Sequence, residues 1–191
     1  MSGVVGAVLA AGSGARMGRP KAELELGGQR LVDRAVDVVA RSGCSQVLAI
    51  VREGLHVAGA RTIVNPAPER GMRSSLRLAV DAAGGGGLAV VLVDTPGLSV
   101  QSLRSVLTAW VPGRIAVASY GAHRGHPIVM SVELWYRALA MAGPDEGARA
   151  FLALRPELVD AVAVTGDPTD LDTPGDLARW TATHPPGSPA P

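Results

Sequence analysis

The sequence predicts an α/β fold: a mostly parallel sheet with helices on both faces. Three observations lead there. Short apolar runs alternate with segments of helical periodicity along most of the chain. The apolar runs are continuous rather than alternating with polar residues, as strands buried on both faces are. The composition, 47% hydrophobic and 18% charged over 191 residues, suits one folded domain with a sizeable core.

The first run, Val4–Leu9, stops at Ala10-Ala11-Gly12 and reads as a buried parallel strand. Gly12–Lys21, rich in glycine and charge, reads as a loop. Leu31–Arg41 has its apolar residues at helical spacing, and Gly43 stops it. Gln46–Val51 and Arg61–Val64 are the next strands. Met72–Ala83 has a helical pattern that Gly84–Gly87 breaks, and Leu88–Val93 is a further buried strand. Ser99 caps a helix that runs to Trp110, with Pro112 beyond. Ile115–Ser119 and Pro127–Met130 read as strands, Ser131–Met141 as a helix and Val159–Val164 as a late strand. Thr173-Pro174 opens the last helix. Residues 1–183 are thus expected to form one domain. The stretch 184–191, His-Pro-Pro-Gly-Ser-Pro-Ala-Pro, holds four prolines in eight residues and is expected to be a disordered tail.

Composition excludes several functions. The net charge is +1, the basic residues form no run and aromatics are 3%, which leaves no footprint for nucleic acid or an anionic membrane. The single cysteine, Cys44, allows no internal disulfide and no cysteine metal site, and is expected to be a small packed residue. The N-terminus enters an apolar run at once without a basic leader, and no apolar run approaches the roughly 20 residues that span a bilayer. The expected setting is cytoplasmic.

Chemistry concentrates after the first strand, where ligands bind in such sheets. Leu9-Ala10-Ala11-Gly12-Ser13-Gly14-Ala15-Arg16-Met17-Gly18-Arg19-Pro20-Lys21 combines three glycines with two fixed cations. Small residues let backbone amides approach an anion, Arg16 suits bidentate contact with phosphate oxygens, and Lys21 is a compact point charge. The string is neither a Walker A loop, lacking Gly-Lys-Ser/Thr, nor a dinucleotide fingerprint as spaced. Leu9 to Gly14, Arg16 and Lys21 are therefore the candidate nucleotide contacts, with Lys21 and Arg16 also catalytic. Asp94, in Leu92-Val93-Asp94-Thr95-Pro96, ends the strongest buried strand. A carboxylate there needs solvent or a cation, and Mg²⁺ fits because it takes one or two carboxylates plus substrate phosphates. Gly71-Met72-Arg73-Ser74-Ser75 offers amides and hydroxyls at a helix start, where Ser74 or Ser75 could equally serve as an N-cap.

The loop resembles the signature of the nucleotidyltransferase family that includes the molybdenum cofactor cytidylyl- and guanylyltransferases: Leu-Ala-x-Gly, then Arg-Met-Gly, then Lys, at Leu9, Ala10, Gly12, Arg16, Met17, Gly18 and Lys21. The resemblance implies a Rossmann-like three-layer fold and Mg-dependent transfer of a nucleoside monophosphate. It implies base-side contacts at Asn65, Gly71 and Ser75. Asp94, now catalytic as well, and Asp172 of Asp170-Leu171-Asp172-Thr173-Pro174-Gly175-Asp176 are implied as Mg²⁺ ligands, with Asp176 structural. His126, of Gly125-His126-Pro127, and Arg149, of Pro144-Asp145-Glu146-Gly147-Ala148-Arg149, are implied on the acceptor side, Arg149 being equally readable as a helix-surface residue. Ala11, where guanylyl members have Gly, points to CTP and thus to CMP transfer to molybdopterin, with a molybdenum hydroxylase as a possible recipient of the product. Thr95 departs from the family's usual Gln or Met. Other readings stay open: a guanylyltransferase using GTP, an NAD(P)H-dependent oxidoreductase of the nicotine-blue-reductase-like branch, and a non-catalytic insertion chaperone.

Overall fold

The computed structural model describes residues 3–185. Its nine strands are β1 (Val5–Ala10), β2 (Glu25–Leu26), β3 (Gln29–Arg30), β4 (Gln46–Val51), β5 (Arg61–Val64), β6 (Gly87–Leu92), β7 (Ile115–Tyr120), β8 (His123–Ser131) and β9 (Val159–Ala163). The α-helices are α1 (Leu31–Arg41), α2 (Met72–Ala83), α3 (Val100–Ala109), α4 (Val132–Met141), α5 (Arg149–Leu154) and α6 (Pro174–Thr183). Seven strands form one sheet in the order β5-β4-β1-β6-β8-β7-β9, and β2–β3 is a separate small ribbon. Every pairing in the large sheet is parallel except those of β8, which runs antiparallel to both β6 and β7. The α/β architecture expected from the alternation is the one found.

Strand alternation makes three layers. In β1, Val8 and Ala10 face α1 and α3, while Ala7 and Leu9 face α2 and α4. On the first face the sheet offers small residues, Ala10, Ala49, Ala89 and Ala116, to Leu31, Val36, Leu103 and Val106 of the helices. On the other, Leu48, Ile50, Leu88 and Val90 pack on Leu76, Val80, Trp135 and Phe151. β1 is buried along its whole length, which explains a run with no polar position.

Two expectations change. The strand expected at Pro127–Met130 begins at His123 and forms a hairpin with β7. The register shifts between Val117 and Ala118, so that His126 and Pro127 have no partner on β7. A bulge tolerates a proline, which has no N–H to give a ladder, and such a break conceals the strand in the sequence pattern. Arg149 opens α5, a six-residue helix too short to leave a periodic signal. At the C-terminus, His184 caps α6 and stacks on Trp180 with ring centroids 3.9 Å apart. Residues 186–191 of the expected tail lie outside the described residues. Among the described residues no helix is long and apolar enough to cross a membrane. Cys44 packs against the α1 side of the core, and burial pushes its thiol up to about 11.

Trp135 anchors the second face. It is 1% exposed and its indole N–H donates to the Leu88 carbonyl at 2.9 Å. Trp135→Ala is expected to cost about 3–5 kcal/mol, read from urea denaturation. A loss below about 1 kcal/mol would mean the α4 face is not the packed core described.

Candidate active site

The carboxyl ends of the parallel strands converge on one edge of the sheet, and the antiparallel β8 brings its own start to that edge. The segment after β1 turns through two short 3₁₀ turns, Ala15–Met17 and Lys21–Glu23. Gly14 lies between β1 and the first turn with φ +63°, and a Cβ there would come 1.9 Å from the Arg19 carbonyl oxygen. Only glycine folds the loop back on itself this tightly. Arg52, just past β4, braces the loop by donating to the Ala11 carbonyl at 3.4 Å.

This folding delivers Lys21 to the centre of the edge. Its ammonium donates to Asp94 Oδ2 at 2.7 Å and to Asp172 Oδ1 at 2.5 Å, and Arg16 pairs with Asp172 Oδ2 at 3.0 Å. Burial opposes the lysine's charge, but the hydrogen bonds and charges of Asp172 and Asp94 outweigh it and raise its pKa. The Lys21 hydrogen bond, aided by the Lys21 and Arg16 charges, holds Asp172 below the ordinary aspartate value. Asp170 stands beside them. Although Asp170 keeps an exposed face, desolvation by the surrounding chain, then the charges of Asp94 and Asp172, push it up to about 6. The carboxylates are tied together by the backbone too, since the Leu171 N–H donates to the Asp94 carbonyl at 2.9 Å and Leu171 is fully buried.

Two adjoining cavities share this cluster. The first, about 580 Å³, is lined by the β1 loop (Leu9, Ala11–Arg16, Lys21) on one side and by Pro68, Glu69, Gly71, Met72 and Ser75 on the other. The second, about 860 Å³, is lined by Tyr120, His126, Arg124, Arg149 and Asp170 over an apolar floor that includes Val117, Ile128 and Leu152. Asp94, Asp172, Met72, Leu92 and Asp145 line both.

Of the residues singled out in the sequence, Leu9, Ala11, Gly12, Ser13, Gly14, Arg16, Lys21, Gly71, Ser75, Asp94 and Asp172 line the first cavity, and His126 and Arg149 line the second. Two do not line either. Ala10 is buried against the core, because alternation along β1 turns it toward α1. Asn65 is also buried. Its amide donates to the hydroxyls of Ser74 and Ser75 at 2.8 and 2.9 Å and its Oδ1 accepts from Ala67 N–H, so it braces the wall from behind. Neither serine caps α2. Ser74 donates to the Gly71 and Ala67 carbonyls, and Gly71 is the N-cap residue without a side-chain cap. Gly71 (φ +81°) is needed there because a Cβ would run into the Pro144 backbone carbonyl. The sequence reading missed Asp145 and Arg52: Asp145 stood in a quoted motif beside Arg149, whereas Arg52 carried no motif signal.

A divalent cation fits the cluster. Asp94 Oδ1 is buried and lacks a hydrogen-bond partner, which is costly unless something positive meets it. Among the described residues no group of three or more His, Cys, Asp or Glu forms a ready metal cage. Two carboxylates suffice for Mg²⁺, which completes its shell with substrate phosphates and water.

His126 is expected to be neutral at pH 7, because desolvation lowers its pKa to about 4 against the pull of Asp94. The unfolded chain takes up this proton from about pH 6.5 downward, while the folded protein resists it. Its contribution to stability is therefore complete above pH 6.5 and is lost as the pH falls toward 4. His126→Gln is expected to lose less stability than the wild type between pH 6.5 and 4.5, by about 1–2 kcal/mol, measured by urea midpoints at each pH. Parallel losses in the two proteins would contradict the half-buried neutral ring.

Comparison with known proteins places this chain in a family. A model of the MobA-like NTP transferase domain matches residues 6–162. Nicotine blue oxidoreductase from Paenarthrobacter nicotinovorans is 36% identical over 195 aligned positions, which span 92% of this chain and 95% of that protein. A probable molybdenum cofactor guanylyltransferase from Opitutus terrae is 34% identical over 62% of this chain and 61% of that protein. In fold, a nucleotidyl transferase from Methanothermobacter thermautotroptrophicus superposes with a TM-score of 0.82 at 19% identity, covering 96% of this chain and 98% of that one. With the family model spanning most of the domain, from β1 into β9, the chain belongs to the MobA-like NTP transferase family.

Proposed function

We propose that the protein moves a nucleoside monophosphate, CMP from CTP, to a phosphorylated acceptor, molybdopterin, and releases pyrophosphate. The observation that supports this best is the Lys21–Asp94–Asp172 cluster at the junction of two cavities, one walled by a glycine-rich loop and the other by basic and apolar side chains. A transferase needs that layout, with a donor and an acceptor meeting across the reacting phosphorus.

In the proposed reaction an acceptor phosphate oxygen attacks the α-phosphorus. A new P–O bond forms, the bond to the bridging oxygen of the β-phosphate breaks, and pyrophosphate carries away the electron pair. A phosphate monoester is already mostly dianionic near neutral pH, since its second pKa is about 6. No strong general base is required. The chain's part is positioning and charge neutralisation. Loop amides from Gly12 to Gly14 receive the triphosphate, and Lys21 leaves its carboxylates to meet the charge that develops on the phosphates. Arg16, 70% exposed and paired with Asp172, would exchange that partner for the leaving pyrophosphate. Asp94 and Asp172 would hold Mg²⁺, which neutralises the α-phosphate and the attacking oxygen when bound. Arg149 and Arg124 offer charge to the acceptor's anionic group. Neutral His126 offers a hydrogen bond without adding charge. A cytoplasmic setting and delivery of the product to a molybdenum hydroxylase belong to the same proposal.

The identity with nicotine blue oxidoreductase over nearly the whole chain favours one second reading, an NAD(P)H-dependent reductase that uses the first cavity for the dinucleotide's phosphates. Two assays separate them. Under the transferase reading, pyrophosphate is released from a nucleoside triphosphate with Mg²⁺ and acceptor, and NADPH absorbance stays constant with a quinone-like dye. The reverse pattern establishes the reductase. Lys21→Ala and Asp94→Ala are each expected to lower transfer by about 10²–10³-fold with unchanged circular dichroism. Near-normal turnover by Asp94→Ala would sink the metal assignment. In thermal shift with Mg²⁺, CTP is expected to stabilise more than GTP, ATP or UTP, and preference for GTP would reassign the base.

A further inference from the structure

Asp172 lies neither in the first loop nor at the end of a core strand. It stands two residues ahead of α6, on a connection between β9 and that helix. Its backbone is nevertheless fixed on both sides. Upstream, the Leu171 N–H is bound to the Asp94 carbonyl. Downstream, one oxygen of Asp176 gathers three donors: the Asp172 N–H at 3.2 Å, the Thr173 N–H at 2.7 Å and the Thr173 hydroxyl at 2.7 Å. The other oxygen of Asp176 takes Arg179 Nη2. The Asp176 side chain is only 17% exposed, and its bonds to Thr173 lower its pKa.

An ordinary capping box does not need the bond to Asp172. Thr173 already caps α6 by accepting from the Asp176 N–H, and Asp176 already answers to the Thr173 N–H. The additional bond reaches one residue further back, to the backbone of the carboxylate that pairs with Lys21 and Arg16. We infer that Asp176 is a positioning residue, which holds the Asp172 carboxylate at the cation site opposite Asp94. The inference rests on the proposed metal role of Asp94 and Asp172. It assigns Asp176 a task beyond the helix cap that its place in the sequence suggests. Outer partners that orient ligating carboxylates typically affect metal affinity by 10–100-fold.

The test compares Asp176→Ala, Asp176→Asn and Thr173→Ala with the wild-type chain. Mn²⁺ is titrated into each at 25 °C, with and without CTP, and free Mn²⁺ is read by electron paramagnetic resonance. Melting temperature is recorded in parallel. Thr173→Ala removes the capping hydroxyl but leaves the Asp176–Asp172 bond. It is expected to melt earlier and to bind Mn²⁺ as the wild type does. Asp176→Ala is expected to melt earlier and to weaken Mn²⁺ binding at least about 10-fold. Asp176→Asn keeps an acceptor oxygen for the two backbone donors and is expected to stay within about 3-fold of wild type. If Asp176→Ala binds Mn²⁺ normally, Asp176 is only a helix cap and the inference fails. If Asp176→Asn weakens binding as far as Asp176→Ala, the effect runs through charge rather than position, and the inference fails again. A wild-type chain that retains no Mn²⁺ under either condition overturns the metal reading itself, a result distinct from both.

Discussion

The Lys21 ammonium, held between Asp94 and Asp172, is the contact on which the functional edge depends. Each group would be costly to bury alone. The Lys21 side chain is 15% exposed and that of Asp94 is 19%, so the attraction works in a setting poorer in water than the surface. The contact spans 73 residues of sequence to Asp94 and 151 to Asp172. It draws the first loop, the end of a central strand and the connection into the last helix to one point. Such a cluster is weak evidence of stability, because apolar residues of similar volume often do as well. Its merit is that it keeps charges ready to be exchanged. Under the proposed transfer, Lys21 would surrender its carboxylates to a cation and turn to phosphate.

The sheet makes that possible by geometry rather than by chemistry. β1 and β6 lie side by side and parallel, so the loops that leave them emerge at the same edge. Reversal of β8 adds its first residues to that edge and opens the second cavity next to the first. Rigidity comes from behind: Asn65 braces the α2 wall, Arg52 braces the loop, and Asp176 braces Asp172. Each uses a buried or half-buried polar group whose partners are other protein atoms.

The same scaffold serves relatives named for different chemistries, a reductase and a guanylyltransferase. That is understandable if the fold's common task is to hold a nucleotide's phosphates at a glycine-rich turn. What the neighbouring cavity presents then decides what the nucleotide meets. In this chain it presents basic side chains, a neutral imidazole and an apolar floor beside the carboxylates. Asp170, pushed up first by desolvation and then by the charges of Asp94 and Asp172, adds a third carboxyl group to that corner.

The sequence by itself determined the α/β architecture, most element positions and the parts of the site that lie within one stretch of chain. These are local properties: an apolar run of strand length, the spacing of Leu31–Arg41, the glycines and cations from Gly12 to Lys21, and the Thr173-Pro174 helix start. Asp94 was legible too, since a carboxylate at the end of a buried strand announces itself. Tertiary structure alone decided the rest. The start of β8 escaped the pattern because a bulge interrupts it, and α5 because six residues leave no period. Asn65 read as a ligand contact, but the structure spends its amide on Ser74 and Ser75, a pairing across a turn that no spacing predicts. Only the folded chain could show that Lys21 binds both carboxylates at once. A charge's partner is set by strand order and direction, and those are settled by packing between segments far apart in sequence.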